Sequence, residues 1–178
     1  MSGKYNWSQW YPFNDEKILK SLPNEPGIYE VRTDFEIDRL CGSSPLVTIG
    51  RAKNIAERLG KQKADDIIRY LNRPEKWLFK NKHKLEFRYC ICGSFEEAKY
   101  LEGIRQLEYE SRHWELPPGN DRLEIGPLKS RIEELFECTA EQMVDYVLEG
   151  KLAVTQVISE LHISLPMLYA LIIYWGKD

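Results

Sequence analysis

The sequence has no long apolar run, few cysteines and no excess of positive charge. No apolar stretch in the 178 residues approaches the roughly 20 that cross a bilayer, so we expect no membrane contact. The first 22 residues have neither an apolar core nor a small-residue cleavage site, which predicts a cytoplasmic location. The four cysteines lack zinc-finger spacing, and we interpret them as buried free thiols. The hydrophobic fraction of 43% lies well above that of disordered chains.

The charges are unevenly distributed along the chain. A net charge of −3 argues by itself against a polyanionic partner. Residues 51–90, however, carry 12 basic and 5 acidic side chains, whereas the segments on either side are acidic. A solvated helix face normally mixes both signs, so this surplus favours a patch that contacts phosphate groups. The side chains that we assign to this role are Arg51, Lys53, Lys61, Lys63, Arg69 and Arg73.

The apolar pattern predicts an α/β (α+β) fold in which helices flank a small antiparallel three-stranded sheet. Alternating apolar and polar residues predict strands at 28–32, 46–50 and 85–92. Helices are predicted over 15–22, from 55 to 59 and beyond, and over 95–114. Asn54 is expected to cap the second helix, and Ser94 and Glu97 to form a capping box on the third. The stretch 34–45 has no sustained period, which predicts a long hairpin connection.

Gly126-Pro127 marks a predicted boundary between a first domain, 1–125, and a helical appendage, 126–178. Within the appendage, the segment around His162-Ile163-Ser164 is typical of the turn in a helix-turn-helix. The helix that follows has almost no side chain able to donate to a phosphate or a base edge. We therefore favour burial of this helix, against the first domain or in a homodimer, over a role in reading DNA.

Two short motifs stand on the first two predicted strands. Pro26-Gly27-Ile28-Tyr29 lies on the first, and Val47-Thr48-Ile49-Gly50 lies on the second. The next helix carries Arg58, and the long helix carries Glu108 and ends before Pro117-Pro118-Gly119-Asn120. In this order the elements resemble the GIY-YIG nuclease domain, which is named after tripeptides on its first two strands.

The resemblance covers residues 26–120, with 61–84 as an enlarged basic insertion. It implies the family's scaffold and its activity, the metal-dependent hydrolysis of DNA phosphodiester bonds. That reaction needs an activated water, a cation against the phosphate oxygens and stabilisation of a poor leaving group. The cofactor implied is a single divalent ion, Mg²⁺ or Mn²⁺.

The resemblance also implies a role for each motif residue. Tyr29 would orient or deprotonate the attacking water, and Arg58 would stabilise the charged transition state. Glu108 would bind the metal ion, and Asn120 would brace the active site. Glu102 on the same helix is a rival ligand, and the choice of Glu108 rests on the twelve-residue interval to Asn120.

Thr48 departs from the family's pattern, because the second tripeptide normally begins with a tyrosine in the active site. Thr48 keeps a hydroxyl group but lacks the reach of a phenol. Three alternatives follow: Tyr29 alone activates the water, a displaced tyrosine such as Tyr70 takes part, or the enzyme is impaired. In the last case the chain is a nucleic-acid-binding or assembly protein that keeps the scaffold.

Overall fold

The structure is a computed structural model that describes residues 5–60 and 85–176. The basic insertion at 61–84, including the proposed DNA contacts Lys61, Lys63, Arg69 and Arg73, lies outside the described residues. Tyr70, the alternative catalytic tyrosine, lies in the same segment. The fold is mixed α/β and combines an antiparallel sheet with helices.

The sheet has four strands in the described part of the chain, one more than the sequence predicts. They are β1 (Tyr11–Pro12), β2 (Gly27–Asp38), β3 (Ser43–Ala52) and β4 (Glu86–Ile91). Their order is β1-β4-β2-β3, with antiparallel pairing throughout. The prediction of three strands is wrong because β1 has only two residues, which is too short to show an alternating pattern.

The connection between β2 and β3 is much shorter than predicted. Both strands extend into the stretch 34–45 and leave only residues 39–42 between them. Gly42 in this turn has φ +74°, a conformation that glycine adopts without steric cost. The pairing of β2 with β3 shifts register on both sides of Arg32. Such irregularities break the alternation of side chains, so the sequence pattern hides the length of these strands.

Seven helices are described: α1 (Glu16–Lys20), α2 (Ile55–Leu59), α3 (Phe95–His113), α4 (Gly126–Phe136), α5 (Ala140–Leu148), α6 (Val154–Leu161) and α7 (Leu165–Trp175). Asn54 and Ser94 cap α2 and α3 as predicted, each accepting a backbone N–H three positions on. The predicted capping box at α3 is incomplete, because the Glu97 carboxylate accepts from Gly93 N at 2.6 Å and not from Ser94 N. Side-chain caps of this kind are local, which is why the sequence reveals them.

One hydrophobic core joins α3 to the C-terminal helices. Leu107 on α3 is fully buried in the same cluster as Ile132 on α4, Leu161 on α6 and Leu168 on α7. The segment from residue 126 onward therefore packs against the sheet-bearing part of the chain. The other face of α3 packs across β3 and β2, so this helix links the two groups of elements.

The turn between α6 and α7 has left-handed backbone at His162, and Ser164 caps α7. The two helices meet at 102°. No single helix among the described residues is long and apolar enough to span a bilayer, although this bent pair passes the same criteria of length and composition when taken together. All four cysteines are free; Cys90 and Cys92 are buried, whereas Cys41 is exposed.

Candidate active site

A cleft of about 550 Å³ lies along β3, next to the start of α2 and the middle of α3. Most of the motif residues predicted from the sequence line it: Tyr29, Thr48, Arg51, Lys53, Arg58 and Asn120. Three carboxylates, Glu57 on α2, Glu102 on α3 and Glu124 in the segment before α4, complete its charged lining. The cleft thus combines a phenol, guanidinium groups and carboxylates that come from distant parts of the chain.

Tyr29 fits into the cleft wall because a glycine faces it across the sheet. Tyr29 on β2 lies opposite Gly50 on β3, and its side chain is buried. A Cβ atom on residue 50 would lie 2.5 Å from both Cζ and Oη of Tyr29, well inside van der Waals contact. The glycine of the second motif is therefore required to seat the phenol of the first.

We expect Gly50→Ala to destabilise the protein by about 1–3 kcal/mol, the usual cost of overpacking a close-packed site. The buried phenol has to move to accept the methyl group, so its hydrogen bond with Arg58 is expected to weaken as well. Urea unfolding measures the first effect. The matched control is Gly126→Ala, because a Cβ there meets no atom within 4 Å. Equal unfolding free energies for the two variants would contradict this packing argument.

Arg58 binds the phenol of Tyr29 directly. Its Nε donates a hydrogen bond of 2.9 Å to Tyr29 Oη, and its Cζ lies 5.7 Å from the centre of the ring. Burial raises the pKa of the Tyr29 phenol above its ordinary value, and the Arg58 charge and hydrogen bond oppose this shift only in part. The phenol consequently stays protonated at neutral pH, with its O–H able to donate to a ligand in the cleft.

Asn120 braces the strand that carries the second motif. Its Nδ2 donates to Ile49 O at 2.7 Å, and its Oδ1 accepts from Ile49 N at 3.0 Å. Thr48 Oγ1 donates to the same Oδ1 at 3.3 Å, so this hydroxyl is engaged with Asn120. The preceding Gly119 packs so closely that a Cβ there would lie 2.8 Å from Thr48 Cβ. The amide therefore holds β3 in place at the floor of the cleft.

The carboxylate that α3 turns toward the cleft is Glu102 and not Glu108. Glu102 is only 5% exposed, and Arg51 Nη1 binds its Oε2. Glu108 lines a separate pocket, where Arg105 binds it and Arg112 Nη2 donates to it at 2.6 Å. Six positions correspond to about one and two-thirds turns of helix, which places the two side chains on different faces. The structure therefore does not bring Glu108 together with the other motif residues in this cleft.

The interval to Asn120 misleads because a distance along the chain does not fix the rotation of α3 about its axis. The helix ends at His113, close to the predicted end at residue 114. A better criterion is helical phase. Glu102 follows the buried Ala98 by four positions and precedes the buried Gln106 by four, so it lies in the row of α3 that faces the protein.

Arg51 contacts two of the carboxylates that line the cleft. It binds Glu102, and its Nη1 lies 3.5 Å from Glu124 Oε2. Burial raises the pKa of the Glu102 carboxyl, and Arg51 offsets part of this shift. Arg51 is predicted from the sequence to contact phosphate. Glu124 is not predicted as a site residue, because it lies 73 positions away and has no motif of its own.

The cleft continues toward a small basic and aromatic surface. Lys53 Nζ lies 5.3 Å and Lys99 Nζ lies 5.0 Å from the centre of the Phe95 ring, which lines the cleft. The Lys53 ammonium can contact a nucleic-acid backbone and the Phe95 ring can contact a base face, whereas Lys99 Nζ is paired with Glu96 at 2.8 Å. Lys53 is among the predicted DNA contacts, whereas Phe95 and Lys99 are not.

The acidic lining suits a hard divalent cation. Mg²⁺ is commonly held in proteins by one or two carboxylates and keeps several water ligands. Glu102 could supply one such carboxylate, and Glu124 lies beside it in the cleft. Within residues 5–60 and 85–176 there is no cluster of three or more His, Cys, Asp or Glu side chains that could hold a metal ion. Binding through Glu102 would thus leave most of the ion's coordination shell to water and substrate.

The candidate site is therefore assembled from β2, β3, α2, α3 and the segment 119–124. Comparison of the chain with protein-family models, with curated proteins and with solved structures finds no match.

Proposed function

We propose that this chain is a metal-dependent endonuclease that hydrolyses DNA phosphodiester bonds in the cleft along β3. The observation that carries the proposal is the convergence of Tyr29, Arg58 and Glu102 on one cleft of about 550 Å³. A phenol, a guanidinium and a carboxylate are the groups that the GIY-YIG-like motifs imply for this reaction. The carboxylate in this cleft, however, belongs to Glu102 and not to Glu108.

Tyr29 and Arg58 act as one unit in this proposal. Guanidinium groups have five N–H donors, so Arg58 can hold the phenol through Nε while its terminal nitrogens contact phosphate oxygens. The phenol remains protonated, because burial raises the pKa of Tyr29. Tyr29 therefore orients the attacking water, or a phosphate oxygen, by donating a hydrogen bond, and the proton of the attacking water passes to the solvent.

Glu102 would hold the divalent ion, Mg²⁺ or Mn²⁺, at the α3 side of the cleft. When bound, the ion would neutralise the negative charge that develops on the phosphate oxygens. Asn120 supports this arrangement indirectly by holding β3 through Ile49. Lys53 beside Phe95 extends the cleft for the DNA backbone. A contribution from the basic insertion stays a prediction, because those residues lie outside the described ranges.

A second candidate function is DNA binding without cleavage, on a catalytically impaired scaffold. It is favoured by Thr48, whose hydroxyl donates to Asn120 and so does not replace the family's second phenol. The raised pKa of Tyr29 points the same way, because the remaining phenol is a poor base at neutral pH. The two candidates share the DNA ligand and differ in whether the phosphodiester bond is broken.

We expect the purified protein to nick supercoiled plasmid with Mg²⁺ or Mn²⁺, and Arg58→Ala to slow nicking by about a hundredfold or more, as for loss of one transition-state donor. Gel electrophoresis of the plasmid measures the rate. Arg131→Ala is the control, because Arg131 lies on α4 and pairs with Glu134 at the surface. Salt-sensitive plasmid binding without nicking would favour the second candidate, and absence of both would reject the two together.

A further inference from the structure

Arg51 forms an ion pair with Glu102, the carboxylate that would hold the metal ion. Its guanidinium binds Oε2 of Glu102 and lies 3.5 Å from Glu124, so one cation neutralises two carboxylates across the cleft. The Glu102 side chain is 7% exposed, whereas that of Arg51 is 27% exposed. The carboxylate is thus covered on the solvent side by the arginine, and the arginine is the member of the pair that solvent and ligands can reach.

A guanidinium and a divalent ion cannot share this position at low cost. Two cations a few ångströms apart in a partly buried cleft repel each other strongly. A metal ion that binds Glu102 must therefore break the ion pair and leave Arg51 close to a second positive charge. Metal binding to the protein alone is consequently expected to be weak, although Glu102 has suitable chemistry for it.

A DNA phosphate would give Arg51 a partner other than Glu102. Arginine binds phosphate oxygens through two parallel hydrogen bonds, as it binds a carboxylate. Arg51 lines the same cleft as Arg58, so a phosphodiester held there lies within its reach. The phosphate would take the place of Glu102 as the partner of Arg51, and the released carboxylate would then be able to bind a cation. The phosphate gains a cation as Glu102 loses one, and the divalent ion then replaces the positive charge that Glu102 has lost.

We propose that Arg51 couples the two ligands of the site: DNA binding draws Arg51 away from Glu102 and so opens Glu102 to the divalent ion. The inference rests on the proposed function, because it assigns a phosphodiester and a metal ion to this cleft. Arg51 is a positioning residue in this scheme, since it acts on the metal through Glu102. Thermodynamic linkage requires the effect to be mutual, so the metal must strengthen DNA binding by the same factor.

The test is a Mn²⁺ titration of the full chain, followed by electron paramagnetic resonance of the free ion. The titration is run with and without a short phosphorothioate DNA duplex that resists cleavage. Glu102→Gln with the same duplex supplies the background, because DNA itself binds Mn²⁺. For the wild type we expect the duplex to raise the Mn²⁺ affinity by about fivefold or more, the lower range of measured coupling. Fluorescence anisotropy of the labelled duplex should show an equal gain in DNA affinity with Mn²⁺.

Arg51→Met separates the coupling from simple electrostatic attraction. Without DNA, this variant should bind Mn²⁺ more tightly than the wild type by a similar factor, and the duplex should then add little. Arg51→Gln also removes the positive charge and should give the same result, which provides a second variant if Arg51→Met does not fold. Arg32→Met is the matched control, because Arg32 pairs with Glu86 outside the cleft.

The inference is overturned if the duplex does not change the Mn²⁺ affinity of the wild type, or if folded Arg51→Met binds Mn²⁺ like the wild type. These outcomes are distinct from failure of the nuclease proposal. Coupling without plasmid nicking would support the role of Arg51 and reject hydrolysis. Nicking that depends on Glu102 but shows no coupling would support hydrolysis and reject the role of Arg51.

Discussion

Glu102→Gln is expected to abolish plasmid nicking, whereas Glu108→Gln is expected to leave most of it intact. Glu102 lies in the cleft with Tyr29 and Arg58, and Glu108 lies in a different pocket. A metal ion contributes several kcal/mol to phosphoryl transfer, and about 1.4 kcal/mol corresponds to a tenfold change in rate. Loss of its ligand should therefore slow nicking by about a hundredfold or more, measured as initial rates on supercoiled plasmid.

The pair of variants is matched, because both replace one carboxylate of α3 by its isosteric amide. Glu108→Gln weakens the ion pairs with Arg105 and Arg112, so its rate has to be compared at a temperature where both variants are folded. Circular dichroism establishes that temperature. If Glu108→Gln were inactive and Glu102→Gln active, the metal site would lie in the second pocket and the assignment of the cleft would be rejected.

Glu30→Ala is expected to destabilise the protein by about 3–5 kcal/mol, the usual cost of removing one partner from a buried ion pair. The Glu30 side chain is 1% exposed, and it accepts hydrogen bonds from Arg88 Nε at 2.7 Å and Arg105 Nε at 3.0 Å. Its loss leaves two partly buried guanidinium groups without this carboxylate. The effect should also loosen the N-terminal segment, because Arg88 lies 4.5 Å from the Trp7 ring and 4.6 Å from the Trp10 ring.

Urea unfolding monitored by tryptophan fluorescence measures this change. Glu16→Ala is the control, since Glu16 and Lys20 form a pair in which both side chains are exposed. Such pairs contribute little, and the unfolding free energy should change by less than about 0.5 kcal/mol. A comparable loss in both variants, or none in Glu30→Ala, would show that the buried network around Glu30 does not stabilise the fold.

Much of the secondary structure could be predicted because it is encoded over short distances. Asn54 and Ser94 start their helices through hydrogen bonds to residues three positions away. The predicted strands at 28–32 and 46–50 lie inside β2 and β3, because alternation of apolar residues persists there. β1 could not be predicted, since it exists only through its pairing with the distant β4.

The candidate site was predicted in part. Tyr29, Arg58 and Asn120 were grouped by motif, and they line one cleft in the structure. Glu108 was placed by a sequence interval, which carries no information on how α3 is rotated about its axis. The contact of Arg51 with Glu102 and Glu124 was missed, because nothing in the local sequence of three separate segments indicates that they meet.

The sequence by itself determined the reactive groups that this chain possesses and the side chains that cap α2 and α3. Only the tertiary structure decided which carboxylate of α3 faces those groups and which partner Arg51 takes. The physical reason is that burial of side chains such as Leu107 sets the rotation of α3 about its axis. That burial depends on helices and strands far away in the chain, so no interval between two motifs could reveal it.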